Sequence, residues 1–118
     1  YNLAQMYRLG DGVSQDKARA AELYTMSAKR GNTDAQYNIA VMYYSGDGVS
    51  QDFRRAFDWY TKAGVRGNAE AQYNLALMYG RGEGVPENRK EAVIWLRMAA
   101  RQGHKKAQEG LKMLGERW

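Results

Sequence analysis

Residues 37–52 read YNIAVMYYSGDGVSQD, and this stretch has two close copies in the chain. YNLAQMYRLGDGVSQD occupies 1–16 and YNLALMYGRGEGVPEN occupies 73–88, so each copy lies 36 residues from the next. The first and second 36-residue periods are identical at 21 positions, the second and third at 14, without a gap in either comparison. A fixed period of this length predicts stacked copies of one supersecondary unit, each of which packs on its neighbours.

Each period predicts two amphipathic helices separated by a glycine-containing loop. In the second period, Ala35, Ile39 and Met42 have the i, i+4, i+7 spacing of one helix face. The loop Gly46-Asp47-Gly48-Val49 interrupts this pattern. A second apolar face follows, made by Ala56, Trp59, Tyr60 and Ala63.

Residues that begin and end helices recur with the same period. Asp and Asn side chains accept backbone N–H groups at helix starts, and glycine adopts the left-handed conformation that follows many helix ends. The single histidine takes the place of Asn32 and Asn68 in register and is predicted to cap or lie on the surface. The predicted starts are Asp16, Asp52 and Asn88 for second helices and Asn32, Asn68 and His104 for first helices, and the predicted stops are Gly31, Gly67 and Gly103.

These residues resemble the Sel-one-like repeat (SLR) family, a relative of the tetratricopeptide repeat. The shared string is Ala-Gln-Tyr-Asn-Leu-Ala-x-Met-Tyr-x-x-Gly-x-Gly-Val, followed by Asp and then Ala-x-x-Trp-Tyr-x-x-Ala. The Gly-x-Gly-Val loop is the most specific element and occurs at 10–13, 46–49 and 82–85. The resemblance implies an all-α fold, a right-handed α-solenoid of helix-turn-helix repeats. Leu23 stands where the family usually has Trp, which leaves the expected fold unchanged.

The period divides the chain into one repeat domain. We expect repeat 1 at 1–36, with a first helix that lacks its beginning, repeat 2 at 37–72 and repeat 3 at 73–108. A capping helix is predicted at about 105–117, because Lys112 replaces the small residue that the next helix would contact. The start inside a helix, at Tyr1 rather than Met, leads us to expect a fragment of a longer array.

Composition argues against several classes of function. The chain has no cysteine and one histidine, so thiolate metal sites and most His-based sites are excluded; we expect no metal, no cofactor and no catalytic residue. Each glycine loop has a single carboxylate, whereas Ca²⁺ requires about six oxygen ligands. A net charge of +5 is only mildly basic, which makes nucleic acid an improbable partner. No apolar run reaches the roughly 20 residues that span a membrane, so insertion is not expected.

The first helix of each repeat is the predicted binding surface. By analogy with tetratricopeptide arrays, first helices line the concave groove. Tyrosine mixed with a few charged residues is typical of protein contacts, although these tyrosines could instead pack between neighbouring repeats. The predicted groove residues are Tyr1, Gln5, Arg8, Tyr37, Val41, Tyr44, Tyr73, Leu77 and Arg81.

Two further sets of residues recur or cluster. Asn2, Asn38 and Asn74 form a ladder that could bond the backbone of an extended peptide, or bond one helix to the next. Repeat 3 carries a net charge of +4, against +1 for repeat 1 and zero for repeat 2. Its basic patch, which could attract an acidic partner, comprises Arg97, Arg101, Lys105 and Lys106.

The leading functional hypothesis is therefore a non-catalytic scaffold or adaptor that binds a partner protein or peptide on the concave face. An alternative is a binder of acidic polymers or nucleic acid that uses the basic third repeat, and a third is an envelope-associated hydrolase. The family resemblance implies complex assembly, often in the bacterial periplasm, at the envelope or after secretion; the sequence does not identify the compartment. Self-association through the open N-terminal edge is a further expectation.

Overall fold

The computed structural model describes residues 16–117, which form six α-helices and no β-strand. The described part of the chain is elongated, measuring 47 × 27 × 23 Å along its principal axes. This architecture confirms the all-α prediction. The helices are α1 (Lys17–Lys29), α2 (Thr33–Ser45), α3 (Phe53–Val65), α4 (Ala69–Arg81), α5 (Arg89–Arg101) and α6 (Lys105–Met113). In terms of the repeat, α2, α4 and α6 are first helices, and α1, α3 and α5 are second helices.

Every helix begins where the sequence predicts. Asp52 Oδ1 accepts the backbone N–H of Arg55 at 3.0 Å, and Asn68 Oδ1 accepts that of Ala71 at 2.8 Å. The other predicted caps make the same bond, and the predicted stop glycines have φ values of 95°, 100° and 90°. Each cap satisfies one of the backbone donors that a helix start leaves free.

The helices pack in chain order, so that each helix contacts the one before it and the one after it. α2 with α3 and α4 with α5 form antiparallel hairpins, each joined by a glycine loop. Three groups of buried residues lie between successive helices rather than in one central core. In the middle group, small residues such as Ala56 and Ala63 lie beside Leu75 and Met78. Alternation of small and large side chains lets neighbouring helices approach closely.

Buried glutamines connect successive units. Gln36 and Gln72 are 4% and 2% exposed, and their Nε2 groups donate to the carbonyls of Ala28 and Gly64, respectively. Gln108 makes the equivalent bond to Ala100 at 3.0 Å. In each case a glutamine of a first helix donates to a carbonyl at the end of the preceding second helix. The bond therefore stabilises both the helix end and the junction between repeats.

The glycine loops lie against the preceding unit. Gly48 and Gly84 have φ values of 82° and 75°, and a Cβ added to them would lie 2.4 Å from the Lys17 carbonyl oxygen and 2.7 Å from that of Phe53. Asp47 of the first of these loops forms a 2.9 Å ion pair with Lys17. The contacts assign the loops a role in packing between repeats.

The final helix is shorter than predicted. α6 ends at Met113 instead of continuing to about residue 117, because Gly115 adopts a φ of 73° and the Glu116 N–H bonds the Leu111 carbonyl. The chain then returns across α5, where Arg97 donates to the Arg117 carbonyl at 2.8 Å and pairs with Glu116 at 3.0 Å. These two long-range bonds hold the tail on α5.

Candidate partner-binding surface

One face of α4 and the adjoining face of α2 form a continuous surface outside the core. On α4, Tyr73, Leu77 and Arg81 follow each other at helical spacing, and Tyr37 and Tyr44 approach from α2. We call these five residues, together with Val41, the first-helix surface. Tyr37, Val41 and Tyr44 also contact the buried middle group, so they belong partly to the surface and partly to the packing between repeats. The predicted residues Tyr1, Gln5 and Arg8 lie outside the described residues, as does Asn2.

A small cavity of about 120 Å³ opens on this surface, beside Tyr44 and Arg81. The Tyr44 hydroxyl donates to Glu83 at 2.8 Å, and Arg81 lies 3.9 Å from the same carboxylate. Burial is the main cause that raises the pKa of Tyr44, and Glu83 adds to it, so the hydroxyl keeps its proton at neutral pH. The remaining lining residues are Tyr60, Asn74 and Leu77.

Asn74 bonds other side chains of the protein. Its side chain hydrogen-bonds the hydroxyls of Tyr37 and Tyr60, whose ring centroids lie 6.0 Å apart. Burial raises the pKa of both tyrosines despite these bonds. Asn38 in turn donates to the Asp34 carbonyl at 2.8 Å. The Asn38 bond lies within α2, whereas Asn74 contacts tyrosines of α2 and α3; binding of an extended peptide by the ladder stays a prediction.

A larger depression of about 490 Å³ lies between α4 and α6. Tyr73 stacks on the His104 ring, with centroids 4.7 Å apart and planes at 26°. His104 Nδ1 accepts the Ala107 N–H at 3.1 Å, so the ring proton is on Nε2, which donates to Glu70 at 2.9 Å. We call this the Tyr73 depression; its lining is Tyr37, Glu70, Tyr73, Asn74, Gly103, His104, Lys105 and Lys106.

The predicted basic patch divides between two places. Lys105 and Lys106 are exposed residues of the Tyr73 depression. Arg97 is instead paired with Glu116 and bonds the tail, and it lines a separate groove of about 550 Å³ beside the exposed Ile94. Arg101 is exposed and has a partner of its own. Of the four residues of the predicted basic patch, only Lys105 and Lys106 line a depression together with tyrosines of the first helices.

The cluster of Glu70, Tyr73 and His104 was not predicted from the sequence. His104 was predicted to cap, which it does, but its ring also contacts two residues of α4, Glu70 and Tyr73. The signal that could have found the cluster is the period itself. Residues 36 apart occupy equivalent places in adjacent units, and adjacent units are in contact. Glu70 and Tyr73 precede His104 by 34 and 31 residues, so the period predicts that they lie near it.

Two features of the described residues bear on other classes of function. Between residues 16 and 117, no helix is both long and apolar enough to cross a membrane. Over that same span, His, Asp and Glu side chains do not gather in groups of three that could hold a metal ion. His104, the single histidine, has both ring nitrogens engaged, so action as a general base would require the loss of one of these bonds.

The helix pairs, the period and the repeated junctions define the chain as a helical-repeat solenoid protein. The family model described as Sel1 repeat matches residues 1–32, 33–68 and 69–104, and the chain belongs to this family. The second and third matched units have the predicted length of 36 residues and begin four residues earlier than predicted repeats 2 and 3, whereas the first match covers 32 residues from residue 1. The shift places each boundary at the start of a first helix, as at Thr33 and Ala69.

Solved structures agree with this assignment. A Sel1 repeat protein from Oxalobacter formigenes aligns with 95% of this chain, with a TM-score of 0.92 and 30% sequence identity. The protective antigen c5321, which displays an SLR fold and is present in uropathogenic Escherichia coli strains, is similar over 93%, with a TM-score of 0.91 and 36% identity. The chain spans only 46% and 24% of these two proteins.

A more distant structure shares the fold alone. Helicobacter pylori cysteine rich protein B is 23% identical, with a TM-score of 0.76 over 89% of this chain and 81% of its own. Among curated proteins, no significant match is found. The fold and family are therefore established by the repeat pattern and by solved relatives.

Proposed function

We propose that this chain is a non-catalytic scaffold that binds a partner protein or peptide on the first-helix surface. The observation that carries the proposal is the row formed by Tyr44, Tyr73, Leu77 and Arg81, which are partly or largely exposed on consecutive first helices. Tyrosine and arginine contribute large contact areas and several hydrogen bonds at protein interfaces. Membership of the Sel1 repeat family, whose members are generally interaction scaffolds, supports the same conclusion.

Rigid positioning of these side chains also supports the proposal. Tyr44 is fixed by Glu83, and Tyr37 is fixed by its contacts with Tyr60 and Asn74. Side chains that are already ordered lose less conformational entropy when a partner binds. The surface is therefore suited to recognition by a preformed site.

The test is affinity capture from lysate and envelope fractions of the source organism, read by quantitative mass spectrometry. The double variant Leu77→Ser/Arg81→Glu changes the first-helix surface, and Arg54→Glu on α3 is the control. The arginines are matched, because their side chains are 58% and 67% exposed and the charge change is the same. We expect a protein retained by the wild type and by Arg54→Glu and depleted at least tenfold from the double variant.

Thermal unfolding of both variants shows whether the fold is intact. Equal retention by the double variant and the wild type, with both folded, would contradict the proposal. A salt titration of the captured material distinguishes the nucleic-acid alternative, since phosphate contacts weaken steeply with salt. Retention of nucleic acid alone would replace the scaffold proposal with that alternative.

A further inference from the structure

We infer that the Tyr73 depression binds an acidic segment of the partner protein, with its carboxylates at Lys105 and Lys106 and an apolar side chain against Tyr73. The inference rests on the proposed function and specifies the chemistry of the partner. It combines three observations: a reversal of charge along the first helices, two lysines that form no ion pair with any described residue, and an aromatic floor.

The charge at one repeat position reverses in the last unit. Asp34, Glu70 and Lys106 occupy equivalent places in the first turns of α2, α4 and α6. Acidic residues are favourable at a helix start, whereas cations are unfavourable there, because the first turn carries unpaired N–H groups with a partial positive charge. Lys105 and Lys106 both occupy the unfavourable position, and a bound carboxylate would relieve this cost.

Neither lysine is neutralised within the described region. The ion pairs found between residues 16 and 117 do not include Lys105 or Lys106. The single carboxylate of the depression, that of Glu70, accepts the His104 Nε2–H. Two positive charges against one negative charge therefore face the depression, which complements an acidic ligand.

The floor of the depression is aromatic and fixed. The Tyr73 ring lies against His104, whose side chain is 8% exposed and bonded at both nitrogens. Burial and the nearby Glu70 raise the pKa of Tyr37, so this hydroxyl stays a hydrogen-bond donor at neutral pH. A peptide that has an apolar residue beside its acidic residues would match both parts of the site.

A short acidic peptide fits this site better than a nucleic acid does. Single-stranded nucleic acid is bound by grooves in which several cations follow the phosphate backbone. Here only two lysines are present, and the Glu70 side chain, which is 59% exposed, would repel a phosphate chain. A short peptide needs only one or two carboxylates at the lysines, whereas a nucleic acid needs cations along its backbone.

The test uses isotope-labelled wild-type protein and an octapeptide, Glu-Glu-Phe-Glu-Glu-Phe-Glu-Glu, acetylated and amidated so that only side-chain carboxylates are present. We expect chemical-shift changes at the Tyr73 and His104–Lys106 amides. The affinity should fall at least fivefold when salt rises from about 50 to about 300 mM, because exposed charges are screened. The same peptide with every Glu replaced by Gln should bind at least tenfold more weakly.

Charge reversal with a matched control completes the test. Lys105→Glu/Lys106→Glu should abolish binding of the acidic octapeptide. Arg89→Glu/Lys90→Glu should retain it, because these residues are the first two of α5, outside the Tyr73 depression, and carry the same charge. Equal binding of the Gln peptide, shifts confined to other residues, or tighter binding of an oligothymidylate to the depression would each overturn the inference.

The partner-capture assay separates this inference from the proposed function. If capture is lost with Leu77→Ser/Arg81→Glu and unchanged with Lys105→Glu/Lys106→Glu, the acidic-segment inference is wrong and the scaffold proposal stands. If both folded variants capture the partner like the wild type, the scaffold proposal fails as well.

Discussion

At the scale of single residues, the glycines have different roles that the sequence alone does not distinguish. Gly48 has positive φ and lies against the backbone of α1, where even a methyl group would meet the Lys17 carbonyl oxygen at 2.4 Å. Gly80 lies within α4, and a Cβ there would meet no atom within 4 Å. Gly48 follows Tyr43 by five residues, and Gly80 directly follows the equivalent Tyr79. Of these two glycines, only Gly48 lies at a junction between repeats.

We expect the two alanine substitutions to have opposite effects on stability. Gly48→Ala should lower the free energy of unfolding by roughly 2 kcal/mol or more, because backbone strain and the clash add. Gly80→Ala should raise it by about 0.5–1 kcal/mol, since alanine is the better helix former. Urea unfolding measures both, and a loss below about 0.5 kcal/mol for Gly48→Ala would contradict the assigned loop packing.

At the scale of helices, the sequence predicts the starts well because caps are local. Asp52 and Asn68 are identified by their own chemistry and by the next few residues. The end of α6 could not be predicted in this way, since the tail is held by bonds that Arg97 makes 19 and 20 residues away. The stacking of Tyr73 on His104 likewise depends on how two units pack, so the sequence predicted the tyrosine and the cap but not the contact.

The glutamine junctions differ between repeats, and stability should show this difference. Gln72 Oε1 accepts from Gln102 Nε2 at 2.9 Å, whereas Gln36 Oε1 is buried and has no hydrogen-bond partner among residues 16–117. We expect Gln102→Ala to destabilise the fold by about 1–2 kcal/mol, because it leaves a second buried carbonyl unpaired. Arg66, at the equivalent place, instead bonds the Gly31 carbonyl at an exposed site.

Arg66→Ala is therefore the control for Gln102→Ala. It should change the free energy of unfolding by no more than about 0.5 kcal/mol, as is usual for surface substitutions. Urea denaturation of both variants provides the comparison. Equal effects would show that the bond between Gln72 and Gln102 does not stabilise the junction.

At the scale of the whole molecule, the repeat places chemically different residues on two sets of helices. First helices contribute most of the lining of the small cavity and of the Tyr73 depression, whereas second helices contribute the tryptophans and arginines of α3 and α5. The two Sel1 repeat relatives of known structure are longer than this chain, which spans 46% and 24% of their lengths. The proposed function assigns partner binding to the first of these two sets.

The central claim is that partners bind the first helices. The most direct test is hydrogen–deuterium exchange of the array with and without the captured partner. We expect added protection in peptides from α2, α4 and the start of α6, and unchanged exchange in the exposed parts of α1, α3 and α5. Protection confined to α1, α3 and α5 would contradict the claim and place the binding surface on the second helices.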